Sequence, residues 1–224
     1  MSLIFQDRPQ AGRALAHIFR DEPPGDLDPH RTIVLSLPRG GVPVAFEVAL
    51  ELRLPLDVFV VRKLGVPGQE ELAMGAIASG GVVVIQSDVV SAYRISQETI
   101  AAVAARERLE IERREAAYRS GHPPLPLIGR TVLLVDDGLA TGSTMKAAAR
   151  ALRPSVGRIV VAVPVAAAST CQDLRHEVDQ LVCLETPNPF HAVGEFYRDF
   201  GQTTDAEVRA LLLRARTIQN PPAG

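Results

Sequence analysis

Residues 132–135, Val-Leu-Leu-Val, form an uninterrupted apolar run that stops at two adjacent carboxylates, Asp136 and Asp137. Gly138, Leu139, Ala140, Thr141, Gly142, Ser143 and Thr144 come next, nearly all small or hydroxylated, and Met145 to Leu152 has helical spacing. A short apolar run bounded by turn residues reads as a buried strand. Acids and accessible backbone N–H groups therefore gather at one strand end. Gly138 and Gly142 permit positive φ and close backbone approach. Successive N–H groups entering a helix N-terminus favour an anion. A phosphate monoester suits this loop, and the hydroxyls of Thr141, Ser143 and Thr144 add donors. Carboxylates repel phosphate but accept hydrogen bonds from sugar hydroxyls. Asp136 and Asp137 then hold a ribose whose phosphate lies in the loop. The bland alternative is a capped strand–helix turn with Asp137 as a turn residue. The Walker phosphate loop is excluded, because no Gly-Lys-Ser/Thr follows the glycines.

The flanking sequence predicts more of the same architecture. Residues 4–20 have helical spacing, and a Pro-, Asp- and Gly-rich loop runs from Asp21 to His30. Thr32 to Leu37 reads as a buried strand, Pro38-Arg39-Gly40-Gly41 ends it, Val42 to Arg53 reads as a helix, and Leu56 to Val61 as the next strand. Strand, loop, helix, strand is a βαβ unit, which requires a parallel connection. Residues 63–81 show no periodicity and contain Gly65, Gly68, Gly75, Gly80 and Gly81, so they read as a mobile loop with short strands at most at its ends. Val82 to Ile85 is a further strand candidate, and Ser96 caps a long helix reaching about Arg119. Residues 121–129 form a proline-containing linker. Arg158 to Val165 is a strand, Ala168 to Leu174 a short helix, Leu181 to Leu184 a short strand, and Thr204 to Arg216 a closing helix. The tail from Gln219 to Gly224 reads as frayed. The expected fold is α/β: a Rossmann-like open, mostly parallel twisted sheet with helices on both faces.

The 224 residues suit one domain, and 46% hydrophobic residues suffice for a packed core. Lys plus Arg at 24 against Asp plus Glu at 26 gives a net charge of −2, not the footprint of a nucleic-acid binder. Cys171 and Cys183 are too few for a disulfide framework and read as reduced core residues. Neither a signal peptide nor a membrane-length apolar run is present, so a cytoplasmic protein without membrane partner is expected. Ligands of open parallel sheets bind outside the carboxyl ends of the strands. Pro38–Gly41, Arg62–Gly65 and Asp136–Thr144 are the three loops expected there.

The run from Val132 to Met145 resembles the signature of type I phosphoribosyltransferases: apolar strand, two acids, three residues, Thr-Gly, then Ser/Thr. Ser36 to Pro43 resembles the family's pyrophosphate loop, and Arg62-Lys63 ends a strand as basic residues do in many relatives. The chain also resembles a branch of the family with Pro-Arg-Gly-Gly-Val-Pro and Arg-Lys-Leu-Gly-Val-Pro loops and no settled substrate. The resemblance covers residues 30–165 well. The resemblance implies one domain over 1–224, with a core of about 30–185 and a hood from about 1–29 and 186–216. It implies 5-phosphoribosyl 1-diphosphate as co-substrate and Mg²⁺ as cofactor. A nitrogen nucleophile displaces pyrophosphate from ribose C1 through an oxocarbenium-like transition state.

By the same resemblance Asp136, Asp137, Arg39 and Lys63 carry the reaction. Arg39, Gly40, Gly41 and Lys63 contact the diphosphate, while Asp136 and Asp137 hold the ribose and reach the metal only through water or ribose hydroxyls. Gly138, Ala140, Thr141, Gly142, Ser143 and Thr144 bind the 5-phosphate. The bland alternative for Arg39 is a surface turn arginine. Ala140 stands where 6-oxopurine enzymes have an Asp that contacts the base, which points to a purine-like acceptor outside that class. Glu70 and Glu71 read as solvated or as a loop acid, His191 as structural or a base, and Phe190, Tyr197 and Phe200 as hood packing or a stacking platform. The alternative function is a non-catalytic regulator that binds 5-phosphoribosyl 1-diphosphate or a nucleotide. Relatives imply small-molecule partners and often a homodimer.

Overall fold

The computed structural model describes residues 5–21 and 27–219. Part of the expected loop Asp21–His30 and the tail after Gln219 lie outside the described residues. A five-stranded, wholly parallel sheet forms the centre, in the order β2-β1-β6-β7-β8. Its strands are β1 (Thr32–Ser36), β2 (Leu56–Val58), β6 (Thr131–Val135), β7 (Arg158–Val165) and β8 (Gln180–Glu185). The central pair runs in strict register from Thr32 opposite Thr131 to Ser36 opposite Val135.

Alternate side chains of each strand go to opposite faces, and both faces are covered. Val34, Leu133, Val135, Val160 and Ala162 pack under α1 (Arg8–Asp21), α2 (Gly41–Leu52) and α7 (Asp205–Gln219). Ile33, Leu35, Val132, Leu134, Ile159, Val161 and Val163 pack under α5 (Ser143–Leu152) and α6 (Ala168–Leu174). This is why the strands read as continuous apolar runs rather than alternating ones. Cys171 and Cys183 are both free. No described helix is long and apolar enough to cross a membrane.

The glycine-rich segment departs from expectation. Instead of a mobile loop it forms a second, three-stranded antiparallel sheet of β3 (Val61–Val66), β4 (Gln69–Ala78) and β5 (Val83–Ile85). Pro67 and Gly68 make the tight turn, with Gly68 at φ 80°. The glycines serve close backbone packing. A Cβ on Gly65 would lie 2.6 Å from the Glu70 carbonyl oxygen, beside a register shift between β3 and β4, and one on Gly75 would lie 2.4 Å from that of Val84. Leu64, Val66, Met74 and Ile77 fill a separate core with Ile100, Val103, Ala104 and Ile111 of α4 (Gln97–Arg119). Ser96 caps α4 by accepting from the Thr99 N–H at 3.2 Å, as the sequence predicts. The short helix α3 (Ser87–Ala92) carries no clear periodic signature in its sequence.

A buried ion pair ties α4 to the parallel sheet. The Arg119 guanidinium donates to Asp57 at 2.9 Å and to the Val58 carbonyl at 3.0 Å, and Asp57 also accepts from the Leu125 N–H at 3.0 Å. Asp57 is 2% exposed. Removing one member of such a pair strands the other in the interior. Asp57→Ala is expected to lower stability by about 3–5 kcal/mol, read as a reduced urea midpoint with an unchanged slope.

Candidate functional site

The site is assembled where β1 and β6 end side by side. After β1, Leu37 extends the pairing by donating its N–H to the Val135 carbonyl at 3.1 Å. The chain then turns through a cis Pro38–Arg39 peptide into α2. After β6 come Asp136 and Asp137, and the two turns nest. A Cβ on Gly40 would sit 2.2 Å from Asp137 Oδ2, and one on Gly41 would sit 2.9 Å from the Asp136 Cα. The two glycines are thus the space into which the acids fit.

Both acids are partly buried. Burial, reinforced by the charge of Asp137, raises the Asp136 carboxyl well above the ordinary aspartate range. Burial also raises that of Asp137, against the opposing pull of the Arg8 guanidinium. Arg8 reaches in from the first turn of α1 and donates its Nε–H to Asp137 Oδ2 at 2.8 Å. Sequence reasoning misses Arg8, because nothing local marks a contact 129 residues away.

The loop beyond the acids is pinned at both sides. Leu139 bridges Ala166 through an N–H bond to the Val165 carbonyl at 2.9 Å and a returned bond from the Ala167 N–H at 3.0 Å. The Thr170 hydroxyl of α6 donates to the Ala140 carbonyl. Gly142 takes φ 67° as the residue before α5, which a side chain would strain. Thr141, Ser143 and Thr144 are exposed at the helix N-terminus, with the Thr141 and Ser143 hydroxyls 3.1 Å apart. The arrangement offers N–H groups, hydroxyls and the positive helix end to one anion.

The two basic residues are placed differently. Arg39 turns towards the C-terminal helix, its Nη1 3.7 Å from Asp205 Oδ1. Asp205 also accepts from the Tyr118 hydroxyl at 3.0 Å. Lys63 is not at the end of a central strand. It lies within β3, its Nζ 3.1 Å from Glu71 Oε2. The chain leaves the central sheet after Val58 because Ser79 satisfies the Val60 N–H at 2.8 Å and β4 takes over the pairing. Lys63 and Glu71 nevertheless share a cleft of about 450 Å³ with Ser143, Thr144 and Lys146. Glu70 turns back on its own hairpin, accepting from the Gly68 N–H at 3.1 Å.

Of the aromatics, Tyr197 donates its hydroxyl to the Asp137 carbonyl at 2.6 Å and packs on Phe5 and Phe200, while Phe190 stacks on Phe196 at 5.3 Å. Burial and the nearby Asp137 carboxylate raise the Tyr197 phenol, which stays neutral and donating. These rings pack the N-terminal segment onto residues 190–200. His191 is exposed.

A family model matches most of this chain. That model, described as a phosphoribosyl transferase domain, aligns with residues 5–199. The chain belongs to the phosphoribosyl transferase family. Two strains of Mycobacterium tuberculosis carry relatives with a provisional phosphoribosyl transferase name, each 46% identical over 213 residues. That match covers 95% of this chain but 47% of each relative, so the chain spans about half the length of the curated relatives it matches. The crystal structure of TT1426 from Thermus thermophilus is similar at a TM-score of 0.80 and 41% identity, covering 95% of this chain and 99% of that one. The phosphoribosyl transferase fold therefore holds over nearly all of the described chain.

Two outcomes follow from the packing. Gly40→Ala forces Asp137 from its seat and is expected to lower stability by about 1–3 kcal/mol, measured by urea denaturation. Asp136 has a folded-state pKa above its unfolded value. Its contribution is therefore favourable only at low pH and is lost as pH rises through the folded value. Asp136→Asn keeps the acceptor oxygen and removes the charge. It is expected to raise the melting temperature relative to the parent at pH 7, with a gain that shrinks towards pH 4, in a series of thermal melts across that range.

Proposed function

We propose that the chain transfers the 5-phosphoribosyl group from 5-phosphoribosyl 1-diphosphate to a nitrogenous acceptor, releasing pyrophosphate. The observation that carries this reading is the nesting of Asp136 and Asp137 against Gly40 and Gly41. It sets a hydroxyl-accepting pair between two anion-receiving turns, one on each side. The 5-phosphate goes to the loop Gly138–Thr144, and the ribose hydroxyls donate to Asp136 and Asp137. The diphosphate lies along Arg39, Gly40 and Gly41, with Lys63 reaching it from the hairpin.

The donor set also suits Mg²⁺. Among the described residues no cluster of three or more His, Cys, Asp or Glu side chains could hold a metal by itself. Mg²⁺ prefers one or two carboxylates together with substrate phosphates. Asp136 and Asp137 would hold it indirectly, through water and ribose hydroxyls, and when bound it neutralises charge on the leaving diphosphate. The protein's own share is positioning and electrostatics. The acids fix the ring orientation, the helix N-terminus holds the 5-phosphate, and Arg39 and Lys63 stabilise the negative charge that builds as the C1–O bond lengthens. Arg39 must exchange Asp205 for the diphosphate, and Lys63 must exchange Glu71.

The acceptor is a purine-like base outside the 6-oxopurine class. Ala140 supports this, because a methyl group offers no proton to an oxo group and its carbonyl is already engaged by Thr170. The packed state of Phe190, Tyr197 and Phe200 argues against a free stacking platform made of all three.

The test is pyrophosphate release from the sugar diphosphate with Mg²⁺ and a panel of nitrogenous bases. Turnover is expected with one acceptor class. Tight binding of the sugar diphosphate with no turnover across the panel would favour the regulator instead. In parallel, the double variant Asp136→Asn, Asp137→Ala is expected to lose detectable binding of the sugar diphosphate by calorimetry, and an unchanged affinity would sink the assignment of the pair.

A further inference from the structure

Among the described residues, Arg8 is the hood side chain that hydrogen-bonds a carboxylate of the acid pair. Its guanidinium is held on three sides. Nε donates to Asp137 Oδ2 at 2.8 Å, Nη1 donates to the Gly201 carbonyl at 2.7 Å, and its central carbon lies 3.9 Å from the centre of the Phe200 ring. The side chain is 11% exposed and that of Asp137 14%. The backbone around it is equally fixed. The Phe5 N–H donates to the Phe196 carbonyl at 2.9 Å, and the Arg198 and Asp199 N–H groups donate back to the Phe5 and Gln6 carbonyls at 2.9 Å each. Tyr197, between them, holds the Asp137 main chain through its hydroxyl at 2.6 Å.

Main chain and side chain of Asp137 are thus each gripped by a different hood residue. A free aspartate would sample several χ2 orientations at little cost. With Arg8 on Oδ2 and the main chain held by Tyr197, the carboxylate has one orientation before any ligand arrives. Arg8 takes a single lone pair of a group that offers about four, so acceptor capacity remains for a sugar hydroxyl.

We infer that Arg8 is a positioning residue for the sugar-diphosphate site: it acts through Asp137, fixing the carboxylate that receives the ribose and joining the hood to the sugar end of the site. This rests on the proposed reading of Asp137 as a ribose contact. Arg8 itself touches no reacting atom. An arginine that anchored α1 only through the Gly201 carbonyl and the Phe200 ring would do its work equally well whatever residue stood at 137.

The experiment is a double-mutant cycle on the full chain, read as affinity for 5-phosphoribosyl 1-diphosphate with Mg²⁺ by calorimetry. Its members are the parent, Arg8→Ala, Asp137→Asn and the double variant. Arg8→Ala is expected to weaken binding by about ten- to a hundredfold, the range for a hydrogen bond to a charged group. In the Asp137→Asn background the same change is expected to have almost no further effect, because the group it positions is gone. Arg8→Lys keeps the charge without the fork and should recover part of the affinity, and it replaces Arg8→Ala in the cycle if the latter does not fold. Arg13→Ala serves as a control. It removes a 3.4 Å pair with Glu47 from the same helix without touching the acids, and it should leave affinity unchanged.

Additive losses from Arg8 and Asp137, or an Arg8→Ala affinity equal to the parent's, overturn the positioning role while leaving the proposed function standing. A parent protein that does not bind the sugar diphosphate overturns both.

Discussion

Everything in the site depends on one steric accommodation between two parallel strands. β1 and β6 lie in register to their last residues, so the turns that leave them must share the same small volume. They can do so only because one turn carries two glycines and the other two short acids. The Gly40 Cα and Asp137 Oδ2 occupy space that no larger residue could enter, and the packing that results shields both carboxylates from much of the solvent. Their raised affinity for protons is a direct cost of that enclosure, against which a nearby guanidinium works. Site geometry, site electrostatics and the glycine requirement are therefore one fact seen three ways.

The rest of the core serves to keep that junction fixed. Helices cover both faces of the parallel sheet, and the buried Arg119–Asp57 pair clamps α4 beside the end of β2. Residues 5–7 and 196–199 close over the acids by main-chain bonds and aromatic contacts. Thr170 in α6 steadies the loop 138–144 through the Ala140 carbonyl. That small-residue loop is held at Leu139, Ala140 and Gly142.

Much of this architecture is legible in the amino-acid sequence. Apolar runs at 33–35, 132–135 and 159–165, in a strand–loop–helix–strand order, point to a parallel sheet buried on both faces, and the residues after them mark where a ligand would lie. The helix capped by Ser96 and the strand and helix at 158–174 follow from the same periodicities. The hairpin at 61–78 is hidden for a physical reason. Glycine there meets the demand of a bulge and of closely approaching strands, yet in a sequence it carries the same mark as flexibility. Pro67-Gly68 is the turn signal within it. The Arg8–Asp137 contact has no signal at all, since it joins distant parts of the chain and neither residue's neighbours foretell the other. Phe190, Tyr197 and Phe200 are readable only as aromatic, and the partners that decide between packing and stacking are tertiary.

The two ion pairs that the first and last helices make with the site differ in kind. Arg8 and Asp137 are enclosed and held at hydrogen-bond distance, whereas Arg39 and Asp205 are half exposed and 3.7 Å apart. An exposed pair of that sort is worth about 0–1 kcal/mol, and Asp205 keeps its bond from Tyr118 and its place at the start of α7 if Arg39 departs. Arg39 can therefore leave its partner at little cost, while the Arg8–Asp137 pair is already set. One edge of the acid junction is thus rigidly built before anything else acts on it, and the opposite edge is free to rearrange.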